Sequence, residues 1–284
     1  MDFTYNASAL GAGGVVQSRS RTTIIPSLAS VALAPTGGEG SSVETNYFSR
    51  ALSFSRAETR VKGFQQNDNI FTTYADVFVS DLSVFGKLTI ALMQATLIST
   101  RDISEPFSRF QLNALYRDIS VDGKEVIAEM DIEISSCPTY DDFEKLLESK
   151  KKLRKGHDRD FVESFGTGNV DELLRVVRGR HAVQGSIVRK LEHRGGLPAK
   201  QHSLPIPGVG TAYFGELMLK PERRRVNLLR MKLDTDTRDE PEPVNESPQK
   251  RRMLARASVE ERPSKDGGSM TIASVEGNGS PILP

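Results

Sequence analysis

The chain has 284 residues, of which 37% are hydrophobic and 26% charged, and its formal net charge is +1. This length is enough to bury a sizeable core in one large β domain or two small ones. The near balance of charge gives no reason to expect nucleic acid or an anionic membrane as the default partner. A single cysteine, Cys137, excludes an intrachain disulfide and a thiolate metal cluster.

The amino-terminal residues lack the basic segment followed by an apolar segment that marks a secretory signal. The most apolar stretch, residues 88–98, is too short to span a bilayer and contains Thr89 and Gln94. We therefore expect a cytoplasmic protein with no membrane span.

Most of the chain predicts extended structure. Residues 1–14 are rich in small side chains and predict a flexible arm or a loosely held strand. Strand-forming segments separated by Gly, Pro or Asn follow at residues 27–34, 43–48, 52–61, 70–79 and 88–100. No long helical period separates them, so residues 15–234 predict a mainly β domain, an antiparallel β-sandwich or a barrel-like sheet, rather than βαβ units.

Residues 107–136 predict a hairpin that turns at Val121-Asp122-Gly123. A two-residue Asp-Gly turn would pair Tyr116 with Glu129 and Leu112 with Glu133, which mixes apolar and acidic side chains on one face. One residue of slip exchanges the two faces of a strand. We therefore predict a three-residue loop with a bulge at Gly123, which pairs Phe110, Leu112, Ala114 and Tyr116 with Ile134, Ile132, Met130 and Ala128.

Residues 139–179 predict a helical insertion packed on the sheet. Thr139 can cap a first helix, and Asp141 and Asp142 suit the positive end of its dipole. Periodic apolar residues predict two further helices, near residues 158–165 and 169–177, before residues 183–191 return to strand.

A second hairpin joins residues 211–219 to residues 224–234. Pro221 suits its turn because the proline ring fixes φ near the value that a type I turn needs. Pairing outward from the turn sets Leu217 opposite Val226, Phe214 opposite Leu229 and Glu216 opposite Asn227. Both faces carry apolar residues, which predicts strands covered on both sides for part of their length.

The composition changes after Asp234. Residues 235–269 are dense in Pro, Glu, Arg, Ser and Lys, and predict a disordered linker. Residues 270–284 begin with a weak apolar alternation that predicts a terminal strand. Such a strand could fold back on its own sheet or add to the edge of a neighbouring molecule.

Two groups of charged residues are candidate binding sites. Glu129, Asp131 and Glu133 alternate along one predicted strand, and this carboxylate row could bind a divalent cation or act as an acid–base pair. A solvated strand face is the simpler explanation. The strongest basic cluster could bind phosphate or a polyanion, although a charge-protected hairpin edge explains it equally well; it consists of Arg223, Arg224, Arg225 and Arg230. The absence of Trp and of a stacking pattern argues against nucleic acid.

Catalytic motifs are weak throughout the chain. Cys137 could be a nucleophile with His157 or His181 as its base, but its position before Pro138 is the only support. The histidines show no metal-ligand spacing. The glycine-rich residues 11–14 and 208–210 lack the context of a phosphate-binding loop. The sequence therefore indicates no catalytic residue, no metal and no cofactor.

Short segments near both ends of the chain carry a family resemblance: residues 25–29, 35–38, 214–217, 224–230 and 274–279. In these segments the chain resembles a group of bacterial cytosolic β-rich proteins of unknown function. The resemblance implies a bacterial origin and a single continuous domain, and it implies no activity.

We expect a non-enzymatic protein that acts by binding or assembly. Its partner would be a second copy, in a homo-oligomer formed through sheet edges or the C-terminal strand, or another protein. A mass in solution above 31.3 kDa that falls on deletion of residues 235–284 would support this. The rival hypothesis is an enzyme or small-ligand carrier with a polar pocket where at least two of Glu129, Asp131, Arg230 and His181 converge.

Overall fold

A computed structural model describes residues 3–17, 22–105, 108–151, 183–220, 223–234 and 267–281. These residues form two seven-stranded antiparallel sheets and two helices. Sheet A consists of β1 (Phe3–Gln17), β2 (Thr22–Ala32), β9 (Val183–Ser186), β11 (Ser203–Ile206), β12 (Gly210–Lys220), β13 (Arg223–Leu233) and β14 (Gly268–Pro281). Sheet B consists of β3 (Gly38–Phe48), β4 (Leu52–Asn67), β5 (Ile70–Val84), β6 (Leu88–Asp102), β7 (Arg109–Val121), β8 (Lys124–Met130) and β10 (Val188–His193).

The strand order of sheet B is β10-β8-β7-β6-β5-β4-β3, so six consecutive strands form a meander. The order of sheet A is β11-β12-β13-β14-β1-β2, and β9 also pairs with β12. Apolar side chains of both sheets share one core. The prediction of a mainly β, antiparallel sandwich is confirmed, and the sheets of the described residues do not close into a barrel.

The helices are α1 (Ile132–Ser136) and α2 (Tyr140–Lys151). Helix α2 begins where predicted: the backbone N–H of Asp142 donates to Thr139 Oγ1 at 3.2 Å, which satisfies one of the first N–H groups of the helix. The two further helices predicted before residue 179, and most of the predicted linker, lie outside the described residues.

The prediction of a flexible arm at residues 1–14 is wrong, because β1 lies inside sheet A and pairs with β14 on one side and β2 on the other. Its small side chains have a packing role. Ala7 and Ala9 are buried, and a Cβ at Gly11 would lie 2.9 Å from the Cβ of Ala57 on β4. Small residues on β1 therefore let the two sheets approach closely.

The predicted C-terminal strand is present as β14. It lies between β13 and β1 and is antiparallel to both. The chain leaves β13 and returns to β14 at one place, since the N–H of Gly267 donates to the carbonyl of Leu233 at 3.1 Å. Both edges of β14 are therefore hydrogen-bonded to strands of the same chain.

One row of residues interrupts the regular alternation of sheet B. β3, β5 and β7 each carry a residue with positive φ, and the strand register aligns the three; they are Asn46, Asp81 and Asp118, with φ of 54°, 52° and 52°. Asn and Asp enter this region more readily than other non-glycine residues. On β5 the inward positions change at this row, from Val77 and Val79 to Leu82 and Val84. We call this row the sheet B crease.

Sheet A contains a matching row, the sheet A crease, on alternate strands β2, β14 and β12. Its positive-φ residues are Ala29, Ala273 and Gly215, with φ of 45°, 53° and 63°. Side chains of sheet B donate to backbone carbonyls at this row. Thr59 Oγ1 donates to Ala29 at 3.0 Å. The Tyr116 hydroxyl donates at 2.6 Å to Leu228, the β13 residue that the register aligns between Gly215 and Ala273. These bonds join the two sheets, because they satisfy buried backbone oxygens with side chains of the opposite layer.

The sheet B crease explains why the predicted register of the first hairpin is wrong. Val121 pairs with Lys124 and Ile119 with Val126, so the loop is the two-residue Asp-Gly turn. Asp122 and Gly123 both have positive φ, as a type I′ turn requires. The pleat of β7 changes phase at Asp118, so residues on either side of it need not share a face. β7 and β8 pair only as far as Ile119 with Val126, so Tyr116 does not pair with Glu129, and Glu133 lies in the helix that follows β8.

The register of the second hairpin is confirmed: Leu217 pairs with Val226, Phe214 with Leu229 and Glu216 with Asn227. Both faces of β12 and β13 are buried along most of their length, as the sequence predicted.

Candidate functional site

The predicted arginine cluster lies on β13, where the arginines take part in three separate arrangements. Arg223 and Arg225 bind the same carboxylate, Glu276 of β14, which is only 4% exposed. Arg225 Nε donates to Glu276 Oε2 at 2.7 Å, and Arg223 Nε donates to Oε1 at 2.6 Å. Glu276 was not singled out in the sequence, because only the pairing of β14 with β13 brings it there.

Arg230 forms the best-satisfied buried ion pair of the described residues. Its Nε and Nη2 donate to the two carboxylate oxygens of Glu216 at 2.9 and 2.7 Å, a bidentate arrangement. Its guanidinium carbon lies 4.0 Å from the ring centre of Tyr213. Both charged side chains are almost fully buried, so the positive charge of Arg230 is neutralised inside the protein and is not presented to a ligand.

Arg224 points the other way, into the space between the sheets, and is completely buried. Its guanidinium carbon lies 4.4 Å from the ring centre of Phe110 on β7, and Nη2 donates to the carbonyl of Cys137 at 3.3 Å. Among the described residues, no hydrogen-bond acceptor meets Nε or Nη1. Burial lowers the pKa of Arg224 to about 9, while its electrostatic interaction with Cys137 acts in the opposite direction.

The arginine cluster predicted as a polyanion site therefore does not converge. Two members clamp a glutamate, one is paired inside the sheet and one lies between the sheets. The burial of Arg224 had a signal in the sequence. In the predicted hairpin Arg224 lies two residues before Val226, so it shares a strand face with Val226, which the predicted pairing with Leu217 made an apolar face.

The predicted carboxylate row is not on one strand, because β8 ends at Met130 and α1 begins at Ile132. Glu129 is exposed and forms an ion pair with Arg189 at 2.9 Å. Asp131 is buried and caps α1: its Oδ1 accepts from the N–H of Ile134 at 3.2 Å. Glu133 lies within α1. The acidic residues thus have separate structural surroundings.

The nucleophile hypothesis gains no geometric support. His157 and His181, the candidate bases, lie outside the described residues. Cys137 follows α1, and its thiol donates to the carbonyl of Glu133 at 3.3 Å. His193 Nδ1 accepts from the N–H of Leu197 at 3.1 Å, so this ring is held by the loop after β10.

An open groove with a volume of about 800 Å³ runs beside the sheet B crease. Its polar lining consists of Asp81, Asp118, Glu125, Ser83, Thr89 and Ser120. Glu129, Asp131 and Arg230 do not line this groove, and His181 lies outside the described residues.

The sheet edges differ strongly between the two sides of the sandwich. On one side the edge strands are short: β9 and β11 have four residues each, β11 contains Pro205, and β10 carries several charges. On the other side β2 and β3 have eleven residues each. Within the described residues β3 pairs only with β4, and its Val43 and Phe48 are 49% and 84% exposed. Sequence patterns identify strands but not which of them lie at an edge.

The described residues contain no group of three or more His, Cys, Asp or Glu side chains arranged to hold a metal ion. They also contain no helix long and apolar enough to cross a membrane. No curated protein and no solved structure matches the chain. A family described as "Domain of unknown function (DUF8256)" matches residues 3–220, from the first residue of β1 to the last residue of β12. The chain belongs to this family.

Proposed function

We propose that the protein is a non-enzymatic assembly protein that self-associates by pairing β3 with β3 of a second copy. The observation that carries the proposal is the β3 edge: eleven residues, one side unpaired among the described residues, and exposed Val43 and Phe48. An unpaired edge presents a row of N–H and C=O groups that can extend the sheet into another chain. β3 is long and exposes two apolar side chains, and its two acidic residues, Glu39 and Glu44, restrict the register in which it can pair.

The other routes to strand pairing have less support. β14 already has β13 and β1 on its two sides, so it can join a neighbour only by leaving sheet A. β10 and β11 have the short length, charges or proline that discourage edge pairing. β2 lies on the same side of the sandwich as β3 and exposes Ile24, but it contains Pro26, so the pairing is assigned to β3.

The charges of β3 favour one register for this pairing. In an antiparallel pair centred on Val43, Val43 meets Val43 of the second copy, Glu44 lies opposite Ser42, and Glu39 opposite Tyr47. A pair centred between Ser41 and Ser42 would set Glu39 opposite Glu44, and one centred on Glu44 would set Glu44 opposite itself. Like charges directly opposite each other are destabilising, so the proposal includes the register centred on Val43.

The first experiment measures mass in solution for the full chain and for Val43→Lys. Phe64→Lys is the matched control, because Phe64 has nearly the same exposure, 46% against 49%, but lies on the interior strand β4. We expect a mass above 31.3 kDa for the wild type and the control, and 31.3 kDa for Val43→Lys. A wild type that is monomeric at all concentrations would refute self-association.

The second experiment tests the register by cross-linking in a Cys137→Ser background, which removes the natural thiol. Directly opposed residues have Cα atoms about 4.5–5.5 Å apart, within disulfide range. Val43→Cys should therefore form a disulfide-linked dimer on oxidation, whereas Thr45→Cys alone should not. A protein that is dimeric in solution but cross-links through Thr45→Cys would still self-associate, and the register centred on Val43 would be wrong.

The proposal also places the protein in a bacterial cytoplasm. This is supported by the resemblance noted in the sequence and by the single cysteine, since intracellular proteins rarely depend on disulfides.

A further inference from the structure

The most anomalous group in the molecule is the guanidinium of Arg224. It is the largest fully buried side chain, carries a positive charge at neutral pH, and has no carboxylate partner among the described residues. Within the part of the chain that the structure describes, its Nε and Nη1 hydrogens meet no acceptor. An uncompensated buried charge is costly, so such a group calls for a physical explanation.

Arg224 also contacts the only cysteine of the chain, through its backbone carbonyl. Arg224 Nη2 donates to the carbonyl of Cys137, and the two residues also interact electrostatically. Cys137 lies between α1 and α2, and its side chain is 9% exposed. A positive charge next to a thiol favours its ionised form, and the thiolate is the form that reacts with oxidants.

We propose that Cys137 is a site of oxidation by hydrogen peroxide and that Arg224 binds the oxidised side chain. In the first step the thiolate sulfur forms a bond to one peroxide oxygen and the O–O bond breaks. The departing hydroxide takes up a proton and leaves as water, so sulfur loses two electrons and the peroxide gains them. A second peroxide converts the sulfenic acid to a sulfinic acid in the same way, and the sulfinic acid ionises.

The sulfinate supplies what Arg224 lacks. It brings one negative charge and two acceptor oxygens, in a geometry like that of the carboxylates that guanidinium groups bind with two parallel hydrogen bonds. The Nε and Nη1 hydrogens, for which the described residues offer no acceptor, would be the donors for these bonds. Oxidation would therefore turn an unpaired buried cation into an ion pair.

Other charges oppose ionisation of the thiol. Glu133 on α1 and Asp141 and Asp142 at the start of α2 carry like charge on the elements that flank Cys137. Asp142 is held by the hydroxyl of Thr139 at 2.6 Å, in the capping arrangement of α2. Glu133 is exposed to water, which screens its charge, whereas Asp141 and Asp142 are half-buried. Burial of Cys137 and the hydrogen bond from its thiol to the carbonyl of Glu133 also favour the neutral thiol, and Arg224 is the buried positive charge that opposes them.

The first test measures the rate of alkylation of Cys137 by iodoacetamide as a function of pH in the full chain. We expect a thiol pKa below the ordinary value of about 8.5, and a higher pKa in Arg224→Met, which removes the charge but keeps the length of the side chain. Arg224→Lys, which keeps a charge, should retain part of the lowering. A wild-type pKa at or above about 8.5 overturns the proposal, whatever the variants do.

The second test compares stability before and after peroxide treatment, with oxidation of Cys137 verified by peptide mass spectrometry. Oxidation of a buried cysteine ordinarily destabilises a protein, because it places polar oxygens in a core. Here we expect the oxidised wild type to unfold at a higher urea concentration than the reduced protein, and the order to reverse in Arg224→Met. An oxidised wild type that is less stable than the reduced form contradicts the proposal.

Cys137→Ser serves as the control for oxidation of methionine, of which the chain has seven. Its unfolding midpoint should not rise on peroxide treatment. Neither test depends on self-association through β3, so the two proposals can fail separately.

Discussion

Two buried arginines on the same strand show how differently one protein can treat the same charge. Arg230 binds both oxygens of one carboxylate, that of Glu216, and stacks on an aromatic ring. Arg224 has an aromatic ring and one carbonyl oxygen, and two of its nitrogens have no acceptor among the described residues. Arg230 is therefore a buried cation with a counter-ion, whereas Arg224 is a buried cation without one among the described residues.

This difference separates the cost of burying a charge from the effect of pairing it. Desolvation of each ion costs several kcal/mol, and only good geometry with a counter-ion offsets it. Both arginines incur that cost, because both are almost fully buried. Only Arg230 has a counter-ion, Glu216, whose attraction offsets this desolvation cost. The free energy of unfolding should therefore fall when the partner of Arg230 is removed and rise when the charge of Arg224 is removed.

The largest effect is expected for Glu216→Gln. The variant keeps the shape of the side chain but leaves Arg230 as an unpaired buried cation, so the free energy of unfolding should fall by about 3–5 kcal/mol. Urea unfolding measures this change. The double variant Glu216→Met with Arg230→Met is the control and should recover most of the loss, since it removes both charges. A loss below about 1 kcal/mol in the single variant would show that the pair contributes little.

Arg224→Met should change stability in the opposite direction. Replacing a buried charge by an apolar side chain of similar length removes its desolvation cost, so we expect the reduced protein to gain about 1–3 kcal/mol. The same substitution at Arg230 is the matched control. It should lower the stability of the protein, because it leaves the buried carboxylate of Glu216 without the Arg230 cation. If both substitutions destabilise to the same extent, the distinction between the two arginines is wrong.

Glu276→Gln probes the third arrangement on β13, in which the arginines are partly exposed. Arg223 and Arg225 keep about a third of their side-chain surface in water, so water screens their interaction with Glu276. We expect a loss of about 1–2 kcal/mol at low salt that shrinks at about 1 M salt. The loss in Glu216→Gln should persist at high salt, because that pair is dry. Equal salt dependence in both variants would contradict this contrast.

Much of the fold followed from the sequence because local pattern and hydrophobic alternation carry it. The register of β12 with β13 was correct because Pro221 indicates a turn in the sequence and the apolar pairs counted outward from it agree. The register predicted at Asp122-Gly123 was wrong because it depended on unbroken alternation along β7. Asp118 breaks that alternation, and a lone aspartate within a strand gives no warning of positive φ unless its neighbours across the sheet are known.

The charged sites were harder to predict, since their partners come from distant parts of the chain. Glu276 meets Arg225 only because β14 inserts between β13 and β1. Arg224 and Cys137 meet only because the sandwich brings the beginning of β13 against the segment that precedes α2. Sequence spacing describes contacts along an element, whereas these contacts cross two layers. The arginine cluster was therefore identified correctly as unusual but misread as a single surface.

Tyr116→Phe tests the part of β13 between the two arginines, with the smallest expected effect. The Tyr116 hydroxyl donates to the carbonyl of Leu228 at 2.6 Å, so its loss should cost about 1 kcal/mol. Burial raises the pKa of Tyr116 above its ordinary value of 10.0. The stability linked to a raised pKa is present below the unfolded value and is lost as pH rises above it. The difference between wild type and variant should therefore be constant near neutral pH and shrink above about pH 10.

Urea midpoints at several pH values measure this difference directly. Tyr5 and Tyr74, whose pKa values are also raised by burial, remain in both proteins and cancel in the comparison. A difference that stays constant at alkaline pH would mean that the Tyr116 hydroxyl is not linked to folding through ionisation. The bond to Leu228 would then act only as a neutral contact between the sheets, and the contrast along β13 would rest on its charged residues alone.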